Sequence, residues 1–503
     1  MNIFVRGLDS YDGYQTKIIN RIFEKIDCKK CVIITRNYDG KDKYDERFVV
    51  YNYMEIDYKK HYYDLNTMYS VPEEILVKMQ RFEGKLFELE MRESGFPVHT
   101  FLECKEMYYE ELIFWYKVII ENKIECMIFH NAPHELHDFV IYCLGQVMNI
   151  PSILFMPTFF PGRLEWGNSY PDLGLNVGRR YEKLLKEGTV GRLPEDLNDI
   201  YERYRNGFDK HQFTEFNDSN KKMIQKFEAD RLVFIKGKTV IMRRLVLLYR
   251  AAIKGCSKIE RKRLIQQLLW DIELTKRSKK YLKKAIFVRK YKGYDESLAL
   301  SKKNKYIYFA LQKVPESNLM PKIEAFYEQR FSIFVLAKAA AKHGLMLYVK
   351  EHWVQDAREK EFYDFIKSFS NVKLIGPDES NLDLIKNSLA VATASGSCIF
   401  EAMFNNLPSI TFGDGYWIGA PGCYRVHDEN SCCIALEKIL NKEYVITDLN
   451  IKTYLQAIDE ETVKMNIYQK SKYGSKLTDE ECIDSIAGFL IERLKEIQEQ
   501  FIK

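Results

Sequence analysis

No uncharged apolar run in this 503-residue chain reaches the ~18 residues of a spanning helix, which excludes an ordinary transmembrane segment. The first residues lack a basic segment followed by a long apolar region, so no secretory leader is expected. The eleven cysteines are scattered without framework spacing, and Cys28-Lys-Lys-Cys31 is a single C-x-x-C with no second pair. A zinc knot is therefore not expected, and reduced thiols in a cytoplasmic setting are. Net charge is only +5, and no basic motif is interleaved with aromatics, which argues against a nucleic-acid partner. Low-complexity tracts and internal repeats are missing as well.

What is present is core and rhythm. Hydrophobic residues make up 46% of the chain, and its length implies two or three domains at the usual ~100–200 residues each. Between Tyr306 and Val426 five short apolar runs, Tyr306–Leu311, Leu345–Lys350, Val372–Ile375, Leu389–Thr393 and Pro408–Phe412, each lead into a polar loop and then a helical pattern. Runs separated by helices read as βαβ units and a parallel sheet, whose ligand sits at the carboxyl ends of the strands. Two loops gathered there carry chemistry. Thr393-Ala394-Ser395-Gly396-Ser397 closes a strand and opens a helix near Cys398, offering a glycine for close approach, free amides and two hydroxyls to a phosphate. Glu401, one turn on, suits a ribose diol; alternatively the serines are an N-cap and Glu401 a solvated helix residue. Lys350-Glu351-His352 follows Leu-Met-Leu-Tyr-Val, and a lysine with an imidazole can bind phosphate and shield a leaving group. A structural histidine at a strand end is the plainer alternative.

The N-terminal half repeats the alternation less regularly. Asn2–Arg6, Val32–Thr35, Phe48–Tyr51, Cys126–His130 and Ser152–Met156 read as strands, with helices near Gln15–Ile26, Glu106–Asn122 and Glu135–Met148. The loop His130-Asn-Ala-Pro-His134-Glu135-Leu-His137-Asp138 leaves a strand and enters a helix, and a carboxylate or imidazole there could take a proton from an attacking hydroxyl. Glu135 is the preferred base, with Asp138 and His134 as comparisons; both acids also suit a first helical turn. Zinc-type ligand spacing exists, but the residues divide between a strand end and a helix, so no metal is expected.

Pro157 to about Lys303 turns helical and basic, with Arg243-Arg244, Arg261-Lys262-Arg263 and Lys279-Lys280-Tyr-Leu-Lys283-Lys284. The segment is either a solvated insertion or a surface for an anionic membrane. Thr478-Asp-Glu-Glu481 is a capping box, and Ile483, Ile486, Leu490, Leu494 and Ile497 recur at helical spacing in a long terminal helix. The expected organisation is 1–160 as an N-terminal Rossmann-like domain, 161–303 as a helical basic insertion, 304–435 as a second Rossmann-like domain and 436–503 as C-terminal helices.

The segments Tyr306–Gln312, Pro315-Glu316, Gln329, Leu347–His352, Ala390–Ser397 with Glu401-Ala, and Pro408–Gly413 resemble the bacterial capsule and surface polysaccharide glycosyltransferases of GT-B fold, the class that includes Kdo transferases. The chain is also similar to bacterial sialyltransferases, which use a His-Pro pair and a serine/threonine motif for a CMP-sugar. Close likeness spans ~120 residues, and one departure stands out: the family's Lys-Glu-His-Pro is here Lys350-Glu351-His352-Trp353. The resemblance implies an α/β GT-B fold, with two Rossmann-like domains facing a cleft, and a metal-independent transferase, in keeping with the absence of any Asp-x-Asp. It implies a nucleotide-sugar donor, read as a CMP-linked ulosonic acid such as Kdo, which is a substrate rather than a cofactor. Donor contacts carried over are Gln312, Glu316, Gln329, Lys350, His352, Ser395, Gly396, Ser397 and Glu401. The acceptor would be a surface polysaccharide or glycolipid at the cytoplasmic face of the plasma membrane, alongside other capsule-assembly proteins. Alternatives are an NDP-sugar donor, polyol-phosphate transfer from a CDP donor, and a catalytically silent GT-B scaffold.

Overall fold

The computed structural model describes residues 1–8, 14–35, 44–52, 65–93, 99–188, 191–207, 305–314, 320–352, 358–377, 379–466 and 475–502, with nine positions between 265 and 294. Glu316, Trp353 and the basic clusters at Arg243–Arg250, Arg261–Arg263 and Lys283-Lys284 lie outside the described residues. No described helix is long and apolar enough to cross a membrane.

The fold is α/β, with two largely parallel sheets in two Rossmann-like domains, as the GT-B expectation required. In the first, β1 (Asn2–Arg6), β2 (Lys30–Thr35), β3 (Phe48–Asn52), β4 (Cys126–Phe129) and β5 (Ser152–Pro157) run parallel, and β6 (Arg163–Gly167) turns back antiparallel beside β5. The second has β7 (Tyr306–Ala310), β8 (Met346–Lys350), β9 (Val372–Ile375), β10 (Ala390–Thr393), β11 (Ser409–Thr411) and β12 (Cys423–Arg425), all parallel. A two-residue strand from the C-terminal region, β13 (Val463–Lys464), completes the first sheet, whose order is β13-β6-β5-β4-β1-β2-β3; that of the second is β12-β11-β10-β7-β8-β9.

Both orders reverse direction once, between β1 and β4 in the first sheet and between β7 and β10 in the second. Such a reversal opens a crevice at the carboxyl ends of the two strands, because their following connections depart to opposite sides. The strands themselves read as apolar runs because helices cover both faces: Ile3, Val5, Ile128 and Ile153 pack toward one side and Phe4, Met127, Phe129 and Leu154 toward the other. Helix Phe101–Asn122 begins at a capping box in which Thr100 Oγ1 accepts the Glu103 N–H at 3.3 Å while Glu103 accepts the Thr100 N–H at 2.7 Å. Helix Leu136–Val147 lies inside the domain, with eleven of its twelve residues buried.

The terminal helix Asp479–Ile502 packs on the first domain. Its Ile483, Ile486, Leu490 and Leu494 are fully buried with Ile3, Val5, Ile18 and Phe155. Thr478 and Glu481 cap it at 2.8 and 3.3 Å, as the capping-box pattern predicts. Carboxyl-end loops of the second sheet reach the first domain. After β7, the Lys322 ammonium is ion-paired with Glu165 of β6, sits 4.7 Å over the Trp417 ring and 3.7 Å from Met156 Sδ; both charged side chains are 1% exposed. Past β11, the Tyr416 N–H donates to Glu165 at 3.3 Å, and the Tyr416 hydroxyl accepts the Phe159 N–H at 2.6 Å. Phe159 and Tyr416 flank Phe400 in a stack with ring centroids 5.2 and 5.3 Å apart. On β6, Arg163 is buried between Asp196 and Asp459, each at 2.7 Å.

Candidate active site

In the first domain the switch point is lined by the end of β1 and the loop after β4. The apolar run of β1 surfaces at Arg6, whose Nε donates to Asp138 Oδ1 at 2.6 Å and whose Nη2 donates to Glu135 Oε2 at 2.8 Å. Glu135 is the N-cap of helix Leu136–Val147 and makes no side-chain cap bond, while Asp138 lies in its first turn. His137 Nε2 stands 2.9 Å from Asp138 and 3.5 Å from Glu135. Burial and the Asp138 charge work against ionisation of Glu135, but Arg6, His137 and His134 outweigh them and hold its carboxyl below the usual range. Asp138 is likewise held far below its ordinary value despite burial, by Arg6 and His137. Burial alone would lower His137, yet Asp138 and Glu135 bring it to about 9, so the ring is cationic at neutral pH.

Ligand atoms of Glu135, His137 and Asp138 lie within 4.8 Å of one another. A cation there would meet the Arg6 guanidinium already bonded to both carboxylates, which is the wrong neighbour for a metal. Around this quartet stand two more histidines. His134 Nδ1 lies 2.8 Å from the Ala132 carbonyl and His130 Nδ1 3.0 Å from the Arg6 carbonyl. His130 rests on Gly7, where φ is +73° and an added Cβ would come within 2.2 Å of the ring.

The second switch point is built around Gln312. Its N–H donates to Gln329 Oε1 at 2.7 Å, its carbonyl accepts from Gln329 Nε2 at 3.2 Å and Arg358 Nη2 at 2.6 Å, and its side chain donates to Thr393 Oγ1 at 3.0 Å. Ser395 Oγ donates to Gln312 Oε1 at 3.4 Å, which joins the loops following β7 and β10. Gly396 lies against the same side chain: at φ +153°, a Cβ would lie 2.4 Å from Gln312 Nε2, the atom bonded to Thr393. Gln329 is buried and acts as a brace for Gln312.

Lys350, at the end of β8, donates to the Pro377 carbonyl at 3.1 Å. Glu351 turns inward, accepting from Arg358 at 3.1 Å and from the Tyr363 hydroxyl at 2.7 Å, so of the charged trio read from sequence it is the structural member. Burial, then the Arg358 charge, lower His352 to about 4, and its imidazole is neutral before any phosphate arrives. Ser397 precedes the short helix Cys398–Phe404 and makes no cap bond; its hydroxyl is 3.5 Å from Glu401. Glu401 is buried rather than solvated, and burial raises its carboxyl to about 7 against the opposing pull of Ser397 and Lys350. Ser395, Gly396, Ser397, Glu401, Lys350 and Gln312 thus fall on neighbouring strand ends, β8, β7 and β10. Sequence reasoning missed Arg6 and Arg358; a lone arginine closing an apolar strand was the available signal for the first.

No protein-family model matches the sequence, and no curated protein is similar to it. Likenesses to solved structures are weak. KpsC of Thermosulfurimonas dismutans, a beta Kdo 2,7 transferase, is 10% identical with a TM-score of 0.33 over 97% of this chain and all of its own. A glycosyltransferase of Rickettsia africae is 9% identical at 0.27, covering 99% of this chain and 98% of that one. The UDP-GlcNAc 2-epimerase of Methanocaldococcus jannaschii is 13% identical at 0.26, covering 91% and 98%. Likeness at this level carries no argument about activity.

Proposed function

We propose that the chain is a metal-independent glycosyltransferase that takes a sugar from a nucleotide-activated donor at the second switch point and passes it to an acceptor held at the first. The observation behind this reading is the polar cluster at the carboxyl end of the second sheet. It brings the Ser395-Gly396-Ser397 loop, after β10, and Lys350 and His352, at the end of β8, to strand ends on either side of β7, with a buried carboxyl, Glu401, one helical turn beyond the loop. In that arrangement Lys350, neutral His352 and the loop amides would meet the leaving phosphate, and Glu401 the ribose. A CMP-linked ulosonic acid is the donor favoured by the sequence resemblance, with NDP-sugars and CDP-polyols as rivals. Capsule or surface glycan, at the cytoplasmic membrane face, is the acceptor that goes with it.

Isothermal titration against CMP, CDP, UDP and GDP tests the reading. One nucleotide should bind at least tenfold tighter than the rest, a difference of ~1.4 kcal/mol. Binding of none of them would sink the proposal in favour of a silent scaffold.

A further inference from the structure

Loops that follow different strands can present donors to one ligand only if something holds them in a common geometry. In the second sheet Gln312, after β7, does this for the loop after β10: its side chain donates to Thr393 Oγ1 at 3.0 Å and accepts from Ser395 Oγ at 3.4 Å. Gln312 therefore needs a fixed backbone of its own. Gln329 braces that backbone from helix Gln329–Lys342, within the βα unit that β7 begins. Arg358, two residues before helix Lys360–Lys367, brings in the next unit.

The Arg358 side chain is nearly buried and uses its guanidinium in two directions at once. Nη2 donates to the Gln312 carbonyl at 2.6 Å, Nε donates to Glu351 Oε1 at 3.1 Å, and the group sits 4.7 Å over the Phe362 ring. Glu351 is a firm anchor at the end of β8, since it is 1% exposed and also accepts from the Tyr363 hydroxyl at 2.7 Å and the His352 N–H at 2.9 Å. The chain of contacts thus runs from Glu351 after β8, through Arg358, to Gln312 after β7 and on to Ser395 after β10. A guanidinium suits the middle of it because its fork of donors is rigid, whereas a lysine ammonium could follow the Glu351 charge without keeping the second bond.

We propose that Arg358 is a positioning residue of the donor site: by tying the Gln312 carbonyl to Glu351, it holds the Gln312 side chain against Thr393 and Ser395 and so sets the Ser395-Gly396-Ser397 loop for the donor phosphate. This rests on the transferase reading above. Arg358 does not touch the donor in this scheme; it fixes the loop that does.

The full chain carries the test. Arg358→Lys keeps a charge for Glu351 but not the fork, and titration with CMP, CDP, UDP and GDP should show the preferred nucleotide bound ~10-fold more weakly or worse, as loss of a charge-assisted bond implies. Near-ultraviolet circular dichroism should match wild type. Where the lysine variant fails to fold, Arg358→Met with Glu351→Gln removes both charges from the interior and carries the same expectation. Gln312→Ala should weaken the same nucleotide, and adding Arg358→Lys to it should cost less than ~3-fold more, because the side chain to be positioned is gone. Amide hydrogen exchange at Ser395–Ser397 should quicken ~10-fold in Arg358→Lys, with no nucleotide present. Wild-type affinity in a folded Arg358 variant, losses that multiply in the Gln312 double variant, or unchanged exchange in the loop each overturns the proposal, the second by giving Arg358 a contact of its own with the nucleotide. A wild-type protein that binds none of the four nucleotides overturns the transferase reading instead, and loop exchange then decides the positioning role by itself.

Discussion

Replacing Lys322 with methionine removes the ammonium paired with Glu165 across the domain boundary while preserving most of the side-chain volume. Both partners are 1% exposed, so the Glu165 carboxylate would be left in the interior with the Tyr416 N–H, at 3.3 Å, as its remaining donor among the described residues. Breaking a buried pair from one side costs ~3–5 kcal/mol, against the ~0–1 kcal/mol of a surface pair. Burial already raises the Glu165 carboxyl above its ordinary value in spite of Lys322, and losing the lysine should raise it further. An acid whose folded pKa lies above its unfolded one loses stability as pH climbs between the two. Lys322→Met should therefore be closer to wild type at pH 5 than at pH 8. The double variant Lys322→Met with Glu165→Leu removes both charges and should recover to within ~1–2 kcal/mol, the remainder reflecting the Tyr416 N–H left without its acceptor. Urea unfolding followed by tryptophan emission reads this directly, since Trp417 lies under the ammonium. A loss below ~1 kcal/mol that is the same at both pH values, or a double variant no better than the single one, would refute the reasoning.

Three further outcomes are expected. Ser395→Ala with Ser397→Ala should weaken the preferred nucleotide by ~1.5–3 kcal/mol in titration, with the thermal midpoint little changed; equal affinity would remove the loop from the site. Because His137 titrates at about 9 in the folded protein and nearer 6.5 unfolded, its stabilising contribution is complete below ~6.5 and lost as pH rises through about 9. Melting between pH 7 and 10 should show that loss, and Asp138→Asn should flatten it. Glu401 is raised to about 7, so its ionisation opposes folding above the unfolded carboxyl value; Glu401→Gln should be more stable than wild type at pH 8, by roughly 1–3 kcal/mol, and no more stable at pH 4.

The parallel strands were legible because strands covered on both faces are continuous apolar runs: β1 to β5 and β7 to β11 fall where the hydrophobic pattern puts them. β6 was not legible. Its sequence, Arg-Leu-Glu-Trp-Gly, carries two buried charges whose partners are 33, 157 and 296 residues away, and no local pattern announces such pairing. The site shows the same division. Strand-end loops at Gln312, Lys350 and Ser395 could be found from the rhythm of strands and helices alone. Glu351, read as part of a ligand-facing trio, is turned to Arg358 and Tyr363, because side chains alternate across a strand end and the middle of three consecutive residues faces the other way. Arg6 could be seen closing its strand, but its partners could not, for the reason β6 was hidden: Glu135 and Asp138 lie 129 and 132 positions along the chain.

The last helix of the chain belongs to the core of the first domain, with Ile486 and Leu490 packed beside Ile3 and Val5. On a ribosome, that domain must wait for its own final piece. About 335 residues separate Gly167, the end of β6, from Ile502, and at ~5–20 residues per second their synthesis occupies roughly 17–67 s. Through that interval the apolar face awaiting the helix stays uncovered on a nascent chain, so a chaperone has its longest opportunity there. A stop codon just before Asp479 would leave the gap open for good, and such a fragment should be lost to aggregation or proteolysis even though every residue of both switch points had been made.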